Sequence, residues 1–198
     1  MSDTTIEFFW DVSSPYTYLA STQIVNIASE CSTSVKWRPF SLGGVFKDTG
    51  NRPPLEVKSK NSYMLDDLKA WAAYYKVPLQ FPSSFPVNSI LPMRAAIAAE
   101  RLGKGGEFAI AIMNAYWAEG KDPSLAEIIQ SISSSAGLCG DEIIKLTQEP
   151  EIKEALKQNS TEAVNRGAFG APTFFVGDKM FWGNDRLVLM RAYLNEEL

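Results

Sequence analysis

With 198 residues, 45% of them hydrophobic, the chain can bury a sizeable core as one large domain or as a domain carrying an inserted subdomain. Its net charge of -4 and isoelectric point near 5.0 argue against a nucleic-acid surface, and no apolar run approaches the ~20 residues that cross a bilayer. Histidine is absent, so a Ser-His-Asp triad, a Cys-His pair and a histidine zinc site or general base are excluded, and no metal site is expected.

In chain order, Met1-Ser2-Asp3-Thr4 has no basic region leading into an apolar segment, and the expected compartment is the cytoplasm. Thr5 to Trp10, rich in β-branched and aromatic residues, reads as a strand, and Asp11 to Ser14 as a loop. Ser14 precedes Pro15, and Tyr18, Leu19, Thr22, Val25 and Ile27 recur at mostly helical intervals, which starts a helix at Pro15 with Ser14 as its N-cap. A hydroxyl at that junction lies at the positive end of the helix, where an anion, a thiolate included, is favoured by ~0.3–1 kcal/mol. The alternative is that Ser14 only caps the helix.

Ser34 to Arg38 alternates with strand period and closes a β-α-β opening, with parallel pairing expected. Phe40 to Pro54, with three glycines and two adjacent prolines, reads as a loop carrying Lys47, Asn51 and Arg52, with Lys60 just beyond it. Helical patterns follow over 62–75, 90–102, 106–118, 124–136, 141–146 and 151–166, with a capping box at Ser124-Leu125-Ala126-Glu127. Trp71, Tyr74, Tyr75, Tyr116 and Trp117 are expected mainly in the core of this block. Cys31 and Cys139 are expected as buried free thiols, although spacing alone does not decide between thiols and a disulfide.

Gly167 to Pro172 leads into a strand at Thr173 to Val176, Gly177-Asp178 reads as a hairpin turn, Lys179 to Trp182 as the returning strand, and Arg186 to Leu194 as a last helix. The order β-α-β, helical block, β-β-α is an α/β thioredoxin-like layout, with 1–54 and 167–198 as the thioredoxin-like domain and 55–166 as a large all-helical insertion. Ser13-Ser14-Pro15-Tyr16-Thr17 then stands where that fold carries Cys-Pro-X-Cys, and neither cysteine is present. The thiol handled here is expected to come from a ligand. Pro172 falls where the fold has a cis-proline, so Ala171-Pro172 is expected to be cis.

The segments Phe9 to Tyr16, Gly50-Asn51-Arg52-Pro53-Pro54 and Gly167 to Arg186 resemble the 2-hydroxychromene-2-carboxylate isomerases and the related kappa-class glutathione transferases of the DsbA-like thioredoxin superfamily. The resemblance implies glutathione as cofactor. Ser14 matches the catalytic serine that donates to the glutathione sulfur, and Ala171, beside Pro172, the residue that pairs with the cysteinyl backbone. Trp182, Gly183, Asn184 and Asp185 match the turn that receives the γ-glutamyl end. Asn51 and Lys60 match positions that the kappa-class enzymes use for glutathione, while the isomerases use an Asn-Arg pair and a lysine for an aromatic carboxylate substrate, which points to Asn51 and Arg52 with Lys47. Phe85 falls near a position where the isomerases can carry tyrosine. Plain alternatives stand beside these: Asn184 or Asp185 as helix caps, Pro172 as purely structural, and the loop cations as solvated charges.

What the resemblance implies is an isomerase acting through reversible thiolate addition to a hydroxychromene carboxylate, and a homodimer. A glutathione transferase and a non-catalytic thiol-peptide binding module are the alternatives, whereas a thiol-disulfide oxidoreductase needs a cysteine at position 14.

Overall fold

A computed structural model describes residues 4–198; Met1 to Asp3, part of the segment read above for targeting, lie outside the described residues. The chain opens with β1 (Thr5–Trp10), α1 (Pro15–Glu30), β2 (Ser34–Pro39) and α2 (Leu42–Thr49). The helices α3 (Lys58–Tyr75), α4 (Ile90–Arg101), α5 (Gly105–Trp117), α6 (Ala126–Ser135), α7 (Gly140–Leu146) and α8 (Pro150–Asn165) follow. The chain then returns to β3 (Thr173–Val176) and β4 (Lys179–Trp182), and a 3-10 turn at Asn184–Arg186 leads into α9 (Leu187–Leu194). The strands form one mixed sheet in the order β2-β1-β3-β4, with β1 parallel to β2 and β3 antiparallel to both its neighbours. This is the thioredoxin-like arrangement, and the helices α3 to α8 all fall between β2 and β3.

Because strand side chains alternate between faces, β1 serves two cores at once. Ile6, Phe8 and Trp10 join the larger core beneath the helical block, where the Phe8 ring lies 4.7 Å from Phe174 and 5.2 Å from Trp37. Phe9 points to the opposite face and packs with Phe40, Val45, Ala163, Ala168 and Phe175. On that same face Arg38, paired with Phe9 across the β1-β2 ladder, sits over the Phe9 ring at 4.8 Å. Its guanidinium donates to Glu7 at 2.5 Å and to Glu162, and to Asn159 Oδ1 at 3.0 Å, which ties β2 and β1 to α8.

Several local expectations are corrected. The stretch 40–54 is not all loop: α2 forms inside it, with Ser41 Oγ accepting from Gly44 N at 3.2 Å and Gly50 closing the helix in the left-handed region at φ 72°. Its two internal glycines weaken helix propensity, but Val45, buried against Ala163 on the far side of the sheet, holds the segment through tertiary packing. Helix α3 begins at Lys58, which puts Lys60 in a first helical turn rather than in a loop. The capping box at Ser124 does not form; Ser124 N–H and Oγ both donate to Asp122, and α6 starts after Leu125.

Tyr116 and Trp117 are fully buried, whereas Tyr74 is 76% exposed on the outer side of α3. The cysteines are free but not buried, because they occupy helix ends: Cys31 follows α1 and is partly covered, and Cys139 precedes α7 and is exposed. Among the described residues, no helix is long and apolar enough to cross a membrane.

Candidate active site

The site forms where the end of β1, the start of α1 and the segment entering β3 meet. Proline at the first position of α1 has no N–H to lose, and Ser14 before it is extended (φ -96°, ψ 119°), the geometry of an N-cap. Its Oγ accepts from Thr17 N–H at 3.3 Å and donates to the carbonyl oxygen of Ala171 at 3.1 Å. Ser14 is therefore a cap and also a bridge to the other wall. Only 6% of it is exposed, so the hydroxyl sits at a dry helix N-terminus.

Ala171-Pro172 is cis, as expected from the fold, and the β3 pairing with β1 and β4 stops at Thr173, which leaves Ala171 outside the ladder. The Pro172 carbonyl accepts from Gly183 N–H at 3.0 Å and so holds the turn after β4 against the cis-proline. Gly183 has φ 103°, a conformation open to glycine, and a β-carbon there would stand 2.5 Å from Asp185 Oδ1. Asn184 is 3% exposed, and its Nδ2 is a buried donor without a partner among the described residues. Leaving such a donor unmade costs about 1–3 kcal/mol, which a ligand acceptor would recover. Asp185 is half-buried and paired with Arg186 at 2.8 Å.

Trp182 is 44% exposed and lies against Phe169, ring centres 4.7 Å apart. A β-carbon on Gly170 would come within 2.7 Å of the Trp182 indole nitrogen. Gly170→Ala is expected to displace that ring and cost about 1 kcal/mol, the low end for overpacking because the indole can swing toward solvent. Urea denaturation and tryptophan emission check it.

Asn51 Nδ2 donates to the Phe169 carbonyl at 2.7 Å, which pins the segment after α2 to the cis-proline side of the site. Arg52 follows it. Lys47 in the last turn of α2, Arg52, and Lys60 in α3 are exposed and form no ion pair among the described residues. None of the three makes a hydrogen bond to Ser14, Ala171 or the 182–185 turn. Phe85 stacks within the aromatic group of Phe81 and Trp117, and Trp117 Nε1 donates to the Val12 carbonyl at 2.8 Å.

Three features escaped the sequence reading. Tyr16, next to Pro15, donates to Asp67 of α3 at 2.8 Å, and burial together with that carboxylate pushes its hydroxyl well above the usual phenol range. Tyr75 of α3 donates to the Asn184 carbonyl at 3.4 Å, so α3 covers both α1 and the 184–185 turn. Asp11 is completely buried directly behind Ser14. The polar residues Asp11, Ser13 and Ser14 clustered after β1, with Val12 among them, were the available signal for Asp11.

A buried serine at a helix N-terminus, a cis-proline facing it and no cysteine in the motif define a thioredoxin-type site without a redox thiol of its own. The DSBA-like thioredoxin domain model matches residues 5–195, and the chain belongs to that family. Within it, the chain is 34% identical to the 2-hydroxychromene-2-carboxylate isomerase of Sphingobium xenophagum, over 96% of this chain and 97% of that protein. It is 28% identical to human glutathione S-transferase kappa 1, over 98% of this chain and 92% of the relative. A solved structure of a 2-hydroxychromene-2-carboxylate isomerase superposes with a TM-score of 0.89 at 26% identity, covering 98% of this chain and 95% of that one. The chain is an enzyme of this isomerase and kappa-transferase group.

Proposed function

We propose that the protein is a glutathione-dependent isomerase that converts 2-hydroxychromene-2-carboxylate, or a related aryl analogue, to trans-o-hydroxybenzylidenepyruvate. The observation that carries the reading is Ser14: a buried hydroxyl at a helix N-terminus, bridged to the residue before a cis-proline, in a motif without cysteine. The residues fit glutathione on features of the site itself, namely the unpartnered Asn184 Nδ2, the unladdered Ala171 backbone and the positive end of α1.

Bound glutathione would supply the thiolate nucleophile for a reversible addition to the conjugated system, which would allow rotation about the former double bond. Ser14 favours the thiolate form by turning its hydroxyl from the Ala171 carbonyl to the sulfur, while Thr17 N–H continues to donate to the oxygen and strengthens the hydroxyl as a donor. The released Ala171 carbonyl would then be free to accept from the cysteinyl N–H, which would keep the hydrogen-bond count. Asn184 and Asp185 hold the γ-glutamyl end, with Asp185 accepting from its ammonium group. Lys60 supports the tripeptide. Arg52 takes the substrate carboxylate through its planar fork, with Lys47 as a second charge, Asn51 fixing the segment and Phe85 closing the aromatic side.

A second reading, a transferase that conjugates glutathione to electrophiles, is favoured by the near full-length similarity to kappa-class enzymes. Incubation with a catalytic amount of glutathione separates them. Complete conversion of a hydroxychromene carboxylate with glutathione recovered is the expected result; stoichiometric loss of glutathione with a chlorodinitrobenzene-type electrophile, and no isomerisation, would replace it with the transferase.

A further inference from the structure

Asp11 is 0% exposed and forms no ion pair among the described residues, yet four donors converge on its carboxylate. Oδ1 accepts from Ser13 N–H at 2.9 Å and Ser13 Oγ at 2.8 Å. Oδ2 accepts from Leu42 N–H at 2.8 Å and Ser89 Oγ at 2.9 Å. Leu42 is the first residue of α2 and Ser89 immediately precedes α4, while Ser13 stands one residue before the N-cap of α1. The starts of three helices are thus gathered on one buried carboxyl group, whose oxygens are satisfied by hydrogen bonds without a cation. The Asp11 carbonyl also accepts from Ser14 N–H at 3.2 Å.

We propose that Asp11 is a positioning residue for the thiol site: its carboxylate locks the Ser13-Ser14 loop to α4 and to α2, and so fixes Ser14 relative to the segment that carries Lys47, Asn51 and Arg52. This rests on the glutathione reading of Ser14. The chemistry requires an acceptor at each of the two oxygen positions and not merely a polar group. Asparagine offers one acceptor oxygen, and its amide nitrogen would face either the Ser13 or the Leu42 N–H, donor against donor. Burial pushes the Asp11 carboxyl above its ordinary value, against the pull of the Leu42 and Ser13 N–H groups and the two serine hydroxyls. The Ser13 and Leu42 N–H groups can only donate, so each Asp11 oxygen must accept.

Asp11→Asn tests this in the free and the loaded protein. In the free protein, amide hydrogen exchange is expected to quicken at Leu42 and also at Thr17, whose N–H is held by Ser14 Oγ. With glutathione bound, Asp11→Asn is expected to move the thiol titration upward, in the direction of Ser14→Ala, and to lower kcat by about 10²-fold, the effect of a misplacement near 1 Å. The double variant Asp11→Asn with Ser14→Ala should titrate like Ser14→Ala alone, because Asp11 acts through Ser14. Unchanged Thr17 exchange in a folded Asp11→Asn protein, or additive shifts in the double variant, would overturn the proposal. Failure of the unaltered protein to bind glutathione would instead overturn the glutathione reading, while the exchange result would still judge the lock. If Asp11→Asn does not fold, Ser89→Ala, which removes one donor, is expected to give the same exchange pattern to a smaller extent, and unaltered Thr17 exchange there overturns the proposal.

Discussion

Replacing Ser14 with alanine is expected to lower turnover by about 10²-fold while leaving glutathione bound, the loss typical of removing one preorganised donor from a developing or stabilised anion. On the proposed reading the Ser14 hydroxyl turns from the Ala171 carbonyl to the glutathione sulfur, so without it the bound thiol should titrate at higher pH. Near neutral pH, less of it is then thiolate. Because Ser14 also caps α1 through Thr17 N–H, the same change should cost about 1 kcal/mol of stability. The two effects separate cleanly: urea denaturation reads the cap, and the pH dependence of turnover reads the thiol. A loss of stability with an unchanged rate would reduce Ser14 to a cap.

The largest effect on stability is expected at Arg38→Met, on the face of the sheet away from the large core. Arg38 is 8% exposed and donates to Glu7, Glu162 and Asn159 while covering the Phe9 ring. Methionine keeps much of the packing but leaves two carboxylates facing each other, with Arg166 bonded to both as their remaining cation. Removing one member of a buried charge group costs about 3–5 kcal/mol; the partial exposure of Glu7 and Glu162 places this change at about 3 kcal/mol. The urea midpoint checks it. Burial tends to raise the Glu162 carboxyl, but Arg38 and Arg166 hold it below the usual range. Its contribution is therefore present above the unfolded-state value and lost as pH falls through the lower folded-state value, so the gap between Arg38→Met and the unaltered protein should narrow in acid.

The elements that were legible in the sequence are those decided locally. Thr173 to Val176, Gly177-Asp178 and Lys179 to Trp182 follow strand period and turn chemistry, and the observed hairpin has those bounds. Pro15 after Ser14 marked the start of α1 for the same reason. Helix α2 was hidden because Gly43 and Gly44 read as loop, although Ser41 and Gly50 were its start and stop signals; Leu42 and Val45 supply burial that only the folded chain reveals. Two of the four donors on Asp11 lie 31 and 78 positions away at Leu42 and Ser89, beyond the reach of any local pattern. Likewise, the hydrogen bond from the Asn51 amide to the Phe169 carbonyl spans 118 positions, which no local pattern in the sequence signals. Long-range hydrogen bonds decide which polar residues of this site are free to meet a ligand.

Ultraviolet titration of glutathione into the purified protein near neutral pH reads whether Ser14 holds the sulfur of an external glutathione as thiolate. The expected result is a saturable thiolate absorbance that is lost in Ser14→Ala. Glutathione that binds only as the neutral thiol, or a thiolate absorbance that survives Ser14→Ala unchanged, would contradict it.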